Sequence, residues 1–146
     1  MRISKEFRFE AAHQLPADKE CTYGVCERLH GHSYRIVIEV EGAVNQFGWI
    51  LNFKDVGAIV NSIIIEPCDH RFLNDLFPNM PTTAENMALI WGARIHRQLK
   101  EKFLGCKLSK IEVWETAKCA AIANTEDVES SLAMTLLEKN PLKNNP

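Results

Sequence analysis

Three histidines, His13, His30 and His32, and one cysteine, Cys26, carry the most chemistry that this chain's residue types and spacing offer. They lie in F-E-A-A-H at 9–13 and C-E-R-L-H-G-H at 26–32. Neutral imidazole is the commonest biological metal ligand. Three such ligands leave one position of a tetrahedral zinc open for water or substrate. If the groups converge in space, they describe a zinc enzyme. Cys26 has three readings: a structural thiol, a fourth ligand that closes the site, or an active-site thiol activated by a neighbouring His or metal.

A second polar pair is Asp69-His70, between Cys68 and Arg71. A carboxylate holding one imidazole nitrogen makes the other a better base. The plainer reading is a solvated loop. Glu115 ends the row Ile111, Val113, Glu115. A buried carboxylate there needs a partner. It could accept two N–H bonds from a guanidine-like edge, such as an arginine, a pterin or a guanine. Alternatively it points at water, or pairs with Arg or Lys. Thr82 and Thr83 are both helix caps by composition, with hydroxyls that could also reach a ligand. His96 reads as surface or packing.

These groups need elements to position them. Residues 2–12 alternate weakly as a strand, and 32–41 alternate clearly, with Tyr34, Ile36, Ile38 and Val40 on one face. Pairing these two strands would bring His13 beside His30 and His32. Residues 14–29 read as a loop around Pro16, Asp18 and Gly24. Trp49-Ile50-Leu51 suggests a short strand, and Lys54 to Ile65 a helix with Asp55 near its start and Pro67 as its end. Thr82 or Thr83 opens the longest helix. Its stripe is Met87, Ile90, Trp91, Ile95, Leu99 and Phe103, and Gly105 is its stop. Residues 108–116 form another strand, Cys119 to Ala123 a last short one, and 126–138 a helix. The final Lys139 to Pro146 reads as a frayed tail. This order suggests an α+β domain with two helices on one face of an antiparallel sheet.

The 146 residues fit one domain, residues 1–146, with 125–146 as a C-terminal extension. A net charge of −2 gives no reason to expect nucleic acid. Five cysteines, Cys21, Cys26, Cys68, Cys106 and Cys119, form no regular framework and argue against a secreted disulfide scaffold. The start has no apolar signal region, and no apolar stretch is long enough for a membrane span. The expectation is a cytoplasmic protein with reduced thiols.

Six segments in order resemble the 6-pyruvoyltetrahydropterin synthase family. They are F-E-A-A-H at 9–13, C-E-R-L-H-G-H at 26–32, G-W-I-L-N-F at 48–53, D-H-R-F-L-N-D at 69–75, P-T-T-A-E-N at 81–86 and V-W-E-T at 113–116. The resemblance spans roughly residues 3–123. The step C-x-x-x-H-G-H is similar to the bacterial 6-carboxytetrahydropterin synthase branch of queuosine (7-deazaguanine) biosynthesis, and Leu29 stands where folate-type members carry Glu.

The resemblance implies a tunnelling fold, in which three subunits close a β-barrel and two trimers stack into a homohexamer. It implies zinc on His13, His30 and His32, and Cys26 as the proton-transferring thiol. Asp69 and His70 would be its partner pair from a neighbouring subunit. Glu115 would anchor the pterin, helped by Thr83. The implied lyase converts 7,8-dihydroneopterin triphosphate to 6-carboxy-5,6,7,8-tetrahydropterin, acetaldehyde and triphosphate. Alternatives are a 6-pyruvoyltetrahydropterin synthase on the same substrate, and a non-catalytic zinc or pterin-binding protein. The motifs do not identify the residues that hold the triphosphate; Lys19, Arg28 and Arg71 are candidates. Departures from the family pattern are Cys68 before D-H, Asn52 in place of Asp, A-K-C-A-A-I-A without an aromatic ending, and the long extension.

Overall fold

The computed structural model describes residues 1–17 and 19–141. Strand β1 (Arg2–His13) pairs antiparallel with β2 (His30–Glu41) in unbroken register, from Arg2 opposite Glu41 to His13 opposite His30. β4 (Lys107–Trp114) pairs with β2, and β5 (Ala120–Asn124) with β4, both antiparallel. A two-residue strand β3 (Arg71–Phe72) runs parallel beside Ala11 and Ala12, so the sheet order is β3-β1-β2-β4-β5. The expected α+β class is present, with one short parallel edge.

The alternation in β2 does what its pattern predicts: Tyr34, Ile36, Ile38 and Val40 are buried. Leu108, Ile111 and Val113 of β4 are buried on the same core. The three-residue step from Leu108 to Ile111 is possible because the register shifts between Glu39 and Val40, leaving Ser109 as an extra residue. Such a bulge keeps the apolar row facing inward on both sides of it.

Helix α1 (Phe53–Val60) starts at Asn52, whose side chain accepts from the Lys54 amide at 2.8 Å. It continues through a π-helical stretch at Asn61–Ile65 into a last turn, α2 (Glu66–Cys68). The helical path therefore ends one residue past Pro67 rather than before it. α3 (Leu73–Leu76) is a single turn inside a segment that reads as loop in the sequence. α4 (Ala84–Lys102) is capped by Thr83, whose hydroxyl accepts from the Asn86 amide at 3.3 Å. Gly105, at φ 81°, makes the turn that leaves it.

Met87, Ile90, Trp91, Ile95 and Leu99 of α4 are buried in the same core as the sheet residues. Trp91 meets Phe9 edge-on at 5.8 Å, and Phe9 stacks on Tyr34 at 5.1 Å. Each fully buried side chain of this size stabilises by about 1.5–3 kcal/mol. Gly92 lets α4 approach closely: a Cβ there would stand 2.6 Å from Val128 Cγ1.

Two expectations are corrected. Trp49-Ile50-Leu51 is not a strand. The Asn45 side chain accepts from the Phe47 amide at 2.9 Å, and the Asn45 amide donates to the Trp49 carbonyl at 2.9 Å, so the loop closes on itself. The single helix expected over 126–138 is two: α5 (Thr125–Val128), capped by Asn124 and Asp127, and α6 (Ser131–Lys139), capped by Ser130. A second cap restarts the helix, which periodicity alone cannot register. Of the expected frayed tail, residues 142–146 lie outside the described residues. Among the described residues no helix is long and apolar enough to cross a membrane.

Candidate metal centre

The β1–β2 register sets His13 directly opposite His30. His32 lies two residues further along β2, on the same face as His30. One ring nitrogen from each of the three imidazoles lies within 4.8 Å of the others. The ring centroids of His13–His30, His30–His32 and His13–His32 are 4.5, 4.9 and 5.1 Å apart.

Backbone carbonyls orient two of the rings. His13 Nδ1 is 2.9 Å from the Thr82 carbonyl, with the Thr82 hydroxyl at 3.3 Å. His30 Nδ1 is 2.7 Å from the Arg28 carbonyl. The Glu115 backbone lies near His32 and opposes the fall in its pKa. A carbonyl only accepts, so Nδ1 of His13 and of His30 must carry the proton. In the neutral rings that bind metal their Nε2 atoms are both acceptors, yet they face each other at 3.0 Å. Two lone pairs at that distance call for a cation between them. Ligands at the usual Zn–N distance of about 2.0–2.1 Å on a tetrahedral ion would lie roughly 3.3 Å apart. The donor set and its spacing fit a divalent metal, and the supporting carbonyls are what such ligands need.

Burial pushes the His13 pKa down, with His30 and His32 adding to the effect and the Thr82 carbonyl opposing it. His32 is held down by burial and then by His30. Both rings are therefore neutral at neutral pH, the form that binds metal.

Cys26 sits in the 3-10 turn Gly24–Glu27, half-buried. The Leu15 amide donates to its carbonyl at 2.9 Å, which ties the turn to the end of β1. Its sulfur is no member of the convergent group. All five cysteines are free thiols, so Cys21 and Cys26 form no disulfide.

Glu115 lies just beyond β4, half-buried. Burial raises its pKa, and Glu85 adds to the rise while His13 and His30 oppose it. A poorly solvated carboxylate beside the imidazole cluster is suited to accept paired N–H donors from a ligand. Tyr34 closes the floor, its ring 5.6 Å from His32 and 6.3 Å from His13. Burial first, and then Glu115, push its phenol far up, so it stays protonated. Thr83 stands at the mouth of α4, next to Thr82, and acts there as the helix cap.

Asp69 and His70 are held at the edge of β1. The Glu10 amide donates to Asp69 Oδ1 at 2.9 Å, and the His70 amide donates to the Glu10 carbonyl at 2.6 Å. His70 takes a left-handed backbone, φ 56°, to make this turn, and its ring is 3.0 Å from Asp69 Oδ1. The Glu10 amide, and then His70, hold the Asp69 carboxyl below its usual range. The His70 side chain is 78% exposed. It opens on a groove lined by Glu10, Gly31, His32, Ser33 and Arg71. Glu10 and Ser33 alternate with the metal-binding positions along β1 and β2, so they project from the opposite face. Among the described residues Asp69 and His70 bond to Glu10 and to each other, and they are not members of the three-histidine group. The Thr82 and Arg28 carbonyls are the functional groups that residue types did not disclose; only the Thr82-Thr83 doublet hinted at one.

Residues 2–126 match the family model described as 6-pyruvoyl tetrahydropterin synthase. A 6-carboxy-5,6,7,8-tetrahydropterin synthase from Synechocystis sp. is 36% identical over 124 residues, 82% of this chain and 89% of the relative. A dihydroneopterin monophosphate aldolase from Pyrococcus furiosus is 33% identical over 114 residues, 78% and 89% of the two chains. The solved structure of Caenorhabditis elegans 6-pyruvoyl tetrahydropterin synthase superposes with a TM-score of 0.74 at 20% identity, covering 86% of this chain and 96% of that one.

Proposed function

Because the chain belongs to the 6-pyruvoyl tetrahydropterin synthase family, we propose that it is a zinc-dependent 6-carboxy-5,6,7,8-tetrahydropterin synthase. Its substrates are 7,8-dihydroneopterin triphosphate and water, and its products are 6-carboxytetrahydropterin, acetaldehyde and triphosphate, as a step of 7-deazaguanine biosynthesis. The observation that carries this reading is the facing pair of acceptor nitrogens on His13 and His30, completed by His32, with Cys26 outside the cluster.

His13, His30 and His32 would hold the zinc. When bound, it supplies Lewis acidity toward the oxygens of the substrate side chain. The chain's own groups do the rest. Glu115 takes the amino-pyrimidinone edge of the pterin through two N–H bonds, helped by the Thr83 hydroxyl. The half-buried position of Glu115 strengthens those bonds relative to water. The Cys26 thiol moves a proton at the side-chain carbons, and the Asp69–His70 pair exchanges that proton. Asp69 fixes the His70 ring by its 3.0 Å contact, which leaves the other ring nitrogen free for the transfer.

The Asp69–His70 pair, exposed beside the β3 edge and outside the histidine group, supports a site shared between subunits. β3 and β5 are the two edges of the sheet. Edge-to-edge pairing would continue the sheet from one copy to the next. This is the arrangement of a trimeric barrel in a tunnelling fold, and of a hexamer built from two such trimers.

Product analysis with 7,8-dihydroneopterin triphosphate tests the reading. Acetaldehyde with a 6-carboxy product supports it. A 6-pyruvoyl product without acetaldehyde, glycolaldehyde release, or binding without consumption would each replace it with a different activity.

A further inference from the structure

The chain continues past residue 126, where the family match ends, into α6 and Asn140. We infer that this extension positions the metal ligand His13: Asn140 braces segment 79–82, and Thr82 at its end orients the imidazole. The inference rests on the reading of His13 as a metal ligand.

Residues 78–82, between α3 and α4, lie outside helix and strand, so side chains must fix them. The Asn79 amide donates to Asn140 Oδ1 at 3.3 Å, and Asn79 Nδ2 donates to the Lys139 carbonyl at 2.7 Å. Asn86 Nδ2 holds the Pro81 carbonyl at 2.9 Å. Only three residue steps separate Asn79 from Thr82, at most about 11 Å of chain. Pro78 and Pro81 stiffen that span by fixing φ. Displacing Asn79 therefore displaces the carbonyl and hydroxyl that hold His13 Nδ1.

Asn140 is itself firmly placed. It is 2% exposed, and its side chain donates to the Leu136 carbonyl at 3.1 Å. Its own carbonyl accepts from Arg94 Nη2. Arg94 is 8% exposed, and its Nε has no hydrogen-bond partner among the described residues. Burying a guanidinium against one carbonyl is costly. An aliphatic side chain would seal α4 against α6 at lower cost, so the arrangement favours an exact position for Asn140 over packing alone.

The test is cobalt(II) binding by the purified full-length chain, followed by its visible absorption, with no substrate present. Asn140→Ala should weaken cobalt affinity several-fold, below the roughly 10–100-fold cost of losing a direct outer support of a metal ligand. It should also change the shape of the absorption bands. Asn140→Asp keeps the acceptor for the Asn79 amide and should restore most of the affinity. Thr135→Ala, on the exposed side of α6, should bind as wild type does. Equal affinity in Asn140→Ala and wild type would overturn the inference, and so would an Asp variant as weak as the Ala variant or an equal loss in Thr135→Ala. Should Asn140→Ala fail to fold, Asn79→Ala decides, since Asn79 is exposed: a several-fold loss supports the inference and an unchanged affinity overturns it. A wild type that takes up no cobalt would overturn the metal reading and this inference with it. Cobalt binding without acetaldehyde production would overturn only the proposed activity.

Discussion

The Nε2 atoms of His13 and His30 face each other at 3.0 Å, while the Thr82 and Arg28 carbonyls hold the opposite nitrogens of the same rings. In the neutral rings neither face-to-face nitrogen can donate to the other. The arrangement is complete only with a cation between them, and its first consequence is stoichiometric. One divalent metal should bind per chain. His13→Ala, His30→Ala and His32→Ala should each lower zinc affinity by at least the roughly 100-fold upper cost of losing an outer support. Zinc content after dialysis checks this, and full retention in any one variant would remove that residue from the site.

Cys26→Ala should keep its zinc and lose turnover. Its sulfur is outside the cluster, so the metal has no need of it. Zinc content and acetaldehyde formation on the same preparation separate the possibilities. Loss of zinc together with the thiol would make the site closed and structural.

Glu115 sets function against stability. Its folded-state pKa is raised, chiefly by burial. Between the unfolded and folded pKa values the folded chain therefore holds the extra proton. Stability contributed by the protonated form is present below the ordinary value near 4.5 and is lost as pH rises through the folded pKa. Glu115→Gln should raise the melting temperature of the ligand-free protein at neutral pH and remove this part of its pH dependence. The same variant should weaken pterin binding by more than it disturbs zinc. An unchanged or lower melting temperature, or zinc loss equal to the loss of pterin binding, would mean that Glu115 has a structural partner.

Cys26 and the Asp69–His70 pair should act across subunits. Cys26→Ala and His70→Ala should each be inactive alone. Mixed and reassembled at equal amounts, they should recover up to about a quarter of wild-type activity, since a random closed assembly gives that share of intact sites. No recovery from a confirmed mixed oligomer would place both groups in one chain's site.

Gly92→Ala tests the packing of α4. The new methyl would meet Val128 at 2.6 Å and Ile111 at 3.0 Å. Helix propensity favours Ala by up to about 1 kcal/mol, and overpacking costs about 1–3 kcal/mol. Urea unfolding should show a net loss of up to about 2 kcal/mol. A more stable variant would mean that α5 yields freely at Val128.

Much of this site is legible in the chain. The alternation of β2 places His30, His32 and Tyr34 on one face, and a strand at 2–12 needs only to pair with it to deliver His13. The strand and helix order follows from the same periodicity. What orients the ligands is not legible, because the Thr82 and Arg28 carbonyls belong to the backbone that every residue has. Their positions depend on where α4 and the 3-10 turn end in space. Asp69-His70 reads as a local pair, and nothing local says that it stands outside the histidine group. Loop 45–51 misleads for a related reason. Its apolar residues suggest a strand, but the Asn45 side chain spends the backbone donors locally. The break at Ser130 is visible as a cap only once a helix is known to start there.

Acetaldehyde release from 7,8-dihydroneopterin triphosphate as zinc is titrated into the metal-free protein tests the central claim most directly. Release should be absent without metal and should rise to saturation at one zinc per chain, with a 6-carboxytetrahydropterin product in equal amount. Acetaldehyde at full rate from the metal-free protein, or none from the zinc-loaded protein, would contradict the claim.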